Sequence, residues 1–189
     1  MVLILSGFAI SGHAAVRNPS PLYEFSRKAY AGDAQSQYVI AVDQQSRGNL
    51  NDARTWFTRA AEQGHARAQF CLAEIYATAQ GVKQNYSEAA KWYRRAADQG
   101  DADAQFALGS LYEFGMGVER SFTEAAAWFR KSAEKGNPVA QNSLGMMYAK
   151  GLGVSKDATE ARKWLQLSAA RGNEDARNNL EALNREPQH

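Results

Sequence analysis

Apolar positions along this chain recur at helical spacing, and the recurrence itself repeats. Between Asp101 and Gly136 one stripe runs Ala104, Leu108, Leu111, Tyr112 and a second runs Ala125, Trp128, Phe129, Ala133. Each matches one face of a 3.6-residue helix. Polar residues and Gly115-Met116-Gly117-Val118 separate the two stripes. The unit predicted is therefore an antiparallel pair of helices joined by a glycine turn.

The unit recurs with a fixed period. Trp56, Trp92, Trp128 and Trp164 are each 36 residues apart. Leu72, Leu108, Leu144 and Leu180 keep that register, as do Ala53, Ala89, Ala125 and Ala161, Gln69, Gln105 and Gln141, and Tyr76, Tyr112 and Tyr148. A repeat of this length cannot bury its apolar face alone, so stacking of neighbours supplies the core. The tryptophans are read as core.

Local chemistry fixes where the helices begin and end. Asp33, Asp101, Asn137 and Asn173 stand at the predicted N-caps of the first helices, with His65 in the equivalent place. Asn49, Asn85, Ser121 and Asp157 precede the second helices, and three residues later come Asp52, Glu88, Glu124 and Glu160, the register of a capping box. The first helix is expected to end near Gly115-Met116-Gly117-Val118, where glycine can take a left-handed cap. Gly81, Gly117 and Gly153 are each followed by valine. Repeat one lacks four residues and this Gly-Val motif, which predicts a tighter turn over an unchanged core. The ends are atypical, as solenoid caps are. Pro21 to Ala31 fits a partial second helix, and Glu174 to Leu183 repeats only a first helix, with Arg177 in place of glutamine.

The pattern Ala-x-Ala-Gln-x-x-Leu-Gly-x-x-Tyr-x-x-Gly-x-Gly-Val, then Ala-x-x-Trp-Phe/Tyr-x-x-Ala-Ala-x-x-Gly, resembles the Sel-one-like repeat (SLR) family. Ala102 to Gly136 carries it almost position for position, and the resemblance extends over roughly residues 32 to 183. It implies an all-α, right-handed α-solenoid of stacked antiparallel helix hairpins, related to the tetratricopeptide repeat and acting as an adaptor. The organisation expected is a signal peptide over 1–15, a capping helix over 16–31, four repeats over 32–172, and a capping helix and tail over 173–189.

Composition narrows the function. Twenty-two basic and 20 acidic residues give a net charge of +2, too balanced for a nucleic-acid interface. Basic pairs recur on the second helices (Arg94-Arg95, Arg130-Lys131, Arg162-Lys163), but acids alternate with them and a solvated outer face is expected. The three histidines form no ligand pair at helical spacing, so no metal is expected. No nucleophile elbow or phosphate loop is present. Gly115-Met116-Gly117 follows a helix rather than a strand and is a turn. Cys71, the single cysteine, occupies a small-residue position, and the disulfide pairs of the cysteine-rich SLR branch are missing. No cofactor is implied. Met1 to Gly12 is apolar, uncharged and shorter than the ~20 residues of a bilayer span. It matches a signal-peptide apolar region, with small residues around Ala14. Export to a bacterial periplasm or the exterior is expected, with a cytoplasmic location the alternative.

The resemblance to tetratricopeptide-like solenoids places a partner on the concave face, lined by the first helix of each hairpin. It assigns Tyr38 in repeat one, Phe70 and Glu74 in repeat two, and Asp103, Phe106, Ser110 and Phe114 in repeat three. In repeat four it assigns Asn142 and Met146. Tyr38, Phe70 and Phe106 are equivalent positions and form a candidate aromatic column. The function expected is a non-enzymatic scaffold binding a peptide or partner domain. Two alternatives stand beside it. One is an exported immunity protein or negative regulator that masks a toxin or membrane sensor. The other, more remote, is weak hydrolysis of a β-lactam or cell-wall compound, as in the cysteine-rich relatives.

Overall fold

A computed structural model of the chain describes residues 21–185, and their regular structure is helical throughout. The elements are α1 (Pro21–Tyr30), α2 (Ala34–Ser46), α3 (Leu50–Glu62), α4 (Ala66–Ala77), α5 (Tyr86–Asp98), α6 (Ala102–Phe114), α7 (Phe122–Glu134), α8 (Pro138–Lys150), α9 (Ala158–Ala170) and α10 (Glu174–Arg185). Consecutive helices pack against one another, most extensively within the hairpins α2/α3, α4/α5, α6/α7 and α8/α9. The result is an α-solenoid. Among the described residues no helix is long and apolar enough to cross a membrane. The segment read as a signal peptide lies outside the described residues.

The core follows the two predicted stripes. The four tryptophans are between 4% and 8% exposed, and Phe57, Phe129 and Leu165, one residue after three of them, are fully buried. Small residues let the helices approach. A Cβ on Gly109 would lie 2.7 Å from the Phe129 ring, and one on Gly145 would lie 2.8 Å from Leu165.

Repeats are tied together by polar groups in register. Gln37, Gln69, Gln105 and Gln141 each donate their side-chain amide to a backbone carbonyl eight residues earlier, at 3.0–3.1 Å. These carbonyls belong to Ala29, Ala61, Ala97 and Ala133, so each first helix is anchored to the helix before it. Within a repeat, Ser132 and Ser168 of the second helices donate back to the carbonyls of Ala102 and Pro138 at the start of the first helices.

Five first-helix caps form as expected: Asp33, His65, Asp101, Asn137 and Asn173 each accept from the amide three residues on. The second-helix caps correct the sequence reading in two ways. Asn85, Ser121 and Asp157 accept from Glu88, Glu124 and Glu160 amides, but the reciprocal half of the box does not form. The cap amides instead donate to the carbonyls of Tyr76, Tyr112 and Tyr148 at the ends of the first helices. The glutamates are thereby free for other partners: Glu88 binds Lys91, while Glu160 binds Lys163 and the Trp164 indole N–H. In repeat one Asn49 makes no side-chain cap and donates to the Gln44 side chain. Its amide still binds the Gln44 carbonyl, the position equivalent to those tyrosines, so the shorter turn keeps the same backbone tie.

Gly115 and Gly151 close α6 and α8 in the left-handed region, with φ of 69° and 71°. The equivalent residue in repeat two is Ala79, at φ 60°.

Candidate functional site

The first helices α2, α4, α6 and α8 place one row of side chains from each repeat side by side. Position by position, Tyr38, Phe70, Phe106 and Asn142 are equivalent, as are Val42, Glu74, Ser110 and Met146. Tyr38, Phe70 and Phe106 are half-buried. Their rings pack within their own hairpins, on Phe57 at 6.0 Å, Tyr93 at 5.9 Å and Phe129 at 5.5 Å between centroids. The column therefore serves the core with one side of each ring and leaves part of the other open. A continuous ring-on-ring ladder is not what the geometry forms.

What links the rings between repeats is polar. Tyr38 stacks on His65 of the next repeat at 4.7 Å, and His65 Nε2 hydrogen-bonds Gln35 Oε1 at 2.9 Å. The His65 Nδ1 lone pair accepts the Ala68 amide, so Nε2 carries the proton and the ring is neutral. Burial pushes the His65 pKa below its ordinary value, partly opposed by the hydrogen bond at its own backbone and by Asp33. Arg67 lies over Phe70 at 4.6 Å and reaches Asp101 at 3.1 Å and Asp103 at 2.9 Å in repeat three. Burial works against the Arg67 charge, but the two carboxylates more than offset it and raise its pKa. Asn137 extends the chain by donating to Asp103 at 3.3 Å.

The remaining assigned residues divide by environment. Glu74 is half-buried and accepts from the Tyr93 hydroxyl, whose pKa is raised, chiefly by burial and then by that bond. Ser110 returns its hydroxyl to the Phe106 carbonyl, and Asn142 accepts from Asn179 of α10 at 2.9 Å. Met146 packs against the C-terminal core cluster. Phe114 is 65% exposed at the end of α6, and Val42 and Val139 also stand open. Beside Phe114, the half-buried Glu113 has its pKa raised by burial, against the pull of Lys150 and Arg120. The open apolar positions Val42, Phe114 and Val139 are thus distributed along the face.

The opposite stripe carries cations over the tryptophans. Arg59, Arg95 and Lys131 sit over Trp56, Trp92 and Trp128 at 4.5, 4.3 and 3.7 Å. Arg94 and Arg130 hydrogen-bond the hydroxyls of Tyr112 and Tyr148 in the following repeats. The basic pairs read as solvated are thus partly structural: one member roofs a tryptophan and the other ties two repeats. Sequence periodicity displayed both residues, but not the side-chain reach that joins them.

Cys71 is half-buried, and burial pushes its thiol up to about 11. A thiolate nucleophile needs the reverse shift. Among the described residues no cluster of histidine, cysteine, aspartate and glutamate could hold a metal ion.

The Sel1 repeat family model matches residues 35–65, 66–101, 102–137 and 138–173. Among solved structures, c5321, a protective antigen present in uropathogenic Escherichia coli strains and displaying an SLR fold, is 36% identical with a TM-score of 0.82, over 87% of this chain and 36% of that one. A Sel1 repeat protein from Oxalobacter formigenes is 34% identical with a TM-score of 0.78, over 86% of this chain and 48% of that one. The chain spans less than half the length of either. YrrB, a tetratricopeptide-repeat protein with an unusual peptide-binding site, shares the fold at 19% identity and a TM-score of 0.59, over 84% of this chain and 81% of that one. No curated protein matches the sequence.

Proposed function

This chain belongs to the Sel1-repeat family, and from that premise we propose that it is a non-enzymatic scaffold holding a peptide or partner domain along the face of α2, α4, α6 and α8. Repeat proteins of this type generally mediate protein–protein interaction. The observation that carries the reading is the composition of that face. It presents half-open aromatic rings at 38, 70 and 106, exposed Val42, Phe114 and Val139, and charged or polar groups between them. Interface centres combine apolar anchors with a polar surround in this way. Each repeat contributes one row, so an extended segment can be read at successive positions.

The hydrolase alternative draws no support from Cys71, whose thiol is stabilised in the protonated form. The immunity and sensor-masking alternatives are special cases of the scaffold, differing in the partner's identity.

The test separates binding from folding. Phe70 and Phe106 contact the core, so their replacement confounds the two. Phe114 and Val139 are exposed. Wild type, the double variant Phe114→Ser/Val139→Ser and the opposite-face variant Arg95→Ala are compared by pull-down from native extract. A partner held by wild type and Arg95→Ala but lost by the double variant supports the groove. Equal retention by all three sinks it.

A further inference from the structure

Repeat one departs from the others where its two helices join. In repeats two to four that connection carries Val82, Val118 and Val154, and each packs against the core. Repeat one lacks these residues and passes from α2 to α3 through Arg47, Gly48 and Asn49. A cavity of ≈ 310 Å³ opens there, between Tyr30 of α1, Ile40, Asp43 and Arg47 at the end of α2, and Asp52 and Trp56 of α3. Its volume lies at the low end for binding sites and suits a single side chain rather than a larger ligand.

The walls carry two aromatic rings, the two carboxylates of Asp43 and Asp52, and the Arg47 guanidinium. Tyr30 stands edge-on to Trp56, with centroids 5.0 Å apart and an interplanar angle of 84°. Tyr30 is 78% exposed, which leaves its ring face open, whereas Trp56 is already roofed by Arg59. Asp43 is committed to Arg47 at 2.9 Å. Asp52 is exposed and engages no partner among the described residues, as is also the case for the Glu124 carboxylate of repeat three, whereas Glu88 holds Lys91, and Glu160 holds Lys163 and the Trp164 indole. Two features of the sequence leave it uncommitted. Aspartate is one methylene shorter than glutamate, and Lys91 and Lys163 of repeats two and four are replaced here by Thr55.

An open aromatic face beside an uncommitted carboxylate, in a hollow the size of a side chain, is chemistry for a cation. We infer that this cavity receives the guanidinium of an arginine side chain presented by a protein partner. A guanidinium is planar, so it stacks on Tyr30 while its fork of N–H donors meets Asp52; an ammonium does only one of these well. The site uses residues of α2 other than Tyr38 and Val42. It therefore stands or falls separately from the groove.

The experiment uses the full chain and a small probe. The Trp56 indole N–H signal, assigned through Trp56→Phe, is followed by two-dimensional NMR during titration with N-acetyl-arginine amide, and in parallel with N-acetyl-lysine amide. A saturable displacement of the Trp56 signal, with the other three indoles unmoved, is expected, and the lysine probe should bind more weakly. Asp52→Asn should weaken binding about fivefold, and Tyr30→Ala should weaken it too. Both residues are exposed, and unchanged helicity by circular dichroism verifies the fold. No displacement up to ~50 mM, far above a millimolar affinity, overturns the inference. Equal binding by Asp52→Asn, or equal response to the lysine probe, also overturns it.

Discussion

Single positions in a repeat can be judged against their equivalents, and this exposes a defect. Gln63 donates to the Oε1 of Gln37 at 2.6 Å, Gln99 to that of Gln69 at 2.7 Å, and Arg171 to that of Gln141 at 3.4 Å. The residue in that place in repeat three is Lys135, which carries its ammonium over Gly100, where a Cβ would lie 3.1 Å from Nζ. Gln105 Oε1 is consequently buried without a partner. Lys135→Gln should restore the donor and stabilise the chain by ~1 kcal/mol, a rise of about 2–4 °C in Tm by calorimetry; no rise would show that the acceptor costs nothing where it lies. His65 gives a second residue-scale expectation. Its cap needs an unprotonated Nδ1, and burial lowers its pKa from 6.5. The folded form therefore prefers the neutral ring, and stability is full above pH 6.5. As pH falls below 6.5 the unfolded chain takes up a proton the folded chain resists, so stability declines until the folded ring itself protonates. His65→Asn keeps a capping side chain without titrating. Melting across pH 7.5 to 5 should show a decline for wild type that is reduced in the variant, and parallel curves would contradict the assignment. The cap position was legible in the sequence, because Asp33, Asp101 and Asn137 hold it elsewhere. The Lys135 defect was not, because it arises from the reach of a side chain into another repeat.

Elements were more legible than the contacts between them. The 36-residue register placed both helices of every hairpin and identified the tryptophan stripe as core, because burial obeys helical periodicity. The reciprocal capping box was misread because the cap amide has a competing acceptor, the carbonyl of Tyr76, Tyr112 or Tyr148, supplied by the preceding helix. The joining loops show why glycine recurs in them. A Cβ on Gly117 would lie 2.3 Å from the Tyr86 carbonyl carbon, and one on Gly153 would lie 2.1 Å from the Phe122 carbonyl oxygen, so the loop of one repeat presses on the backbone of the repeat before. The left-handed closure two residues earlier is glycine at 115 and 151 but Ala79 in repeat two, at φ 60°. A Cβ in that conformation costs about 1–2 kcal/mol. Ala79→Gly should recover about 1 kcal/mol of this, offset in part by greater freedom of the unfolded chain. Denaturant titration should show a higher midpoint at unchanged slope. A lower midpoint would mean that unfolded-state entropy outweighs the strain.

At the scale of the whole molecule the chain is a row of neighbours, and stability in such a row is a sum of repeat and interface contributions. The core divides accordingly. One cluster runs from Ala29 to Trp128, a second from Ala125 to Trp164, and a third, much smaller, joins Ala161, Leu165, Ala176 and Leu183. Only the third holds α10 in place with buried apolar residues, and the polar residues Asn178 and Glu181 of α10 are exposed. The candidate groove crosses these boundaries. Tyr38 and Phe70 pack on the first cluster, Phe106 on the second and Met146 on the third, so the face is only as continuous as the interfaces beneath it. Leu183→Ala removes a 7%-exposed side chain from the smallest cluster, and truncation of a buried leucine costs ~2–5 kcal/mol. In a row of repeats this loss should act locally. Hydrogen exchange should quicken across α8, α9 and α10 while α4, α5 and α6 keep their protection. A uniform quickening from α2 to α10 would instead show one cooperative unit. In that case a partner bound at Met146 would stabilise Tyr38 as strongly as its own neighbours.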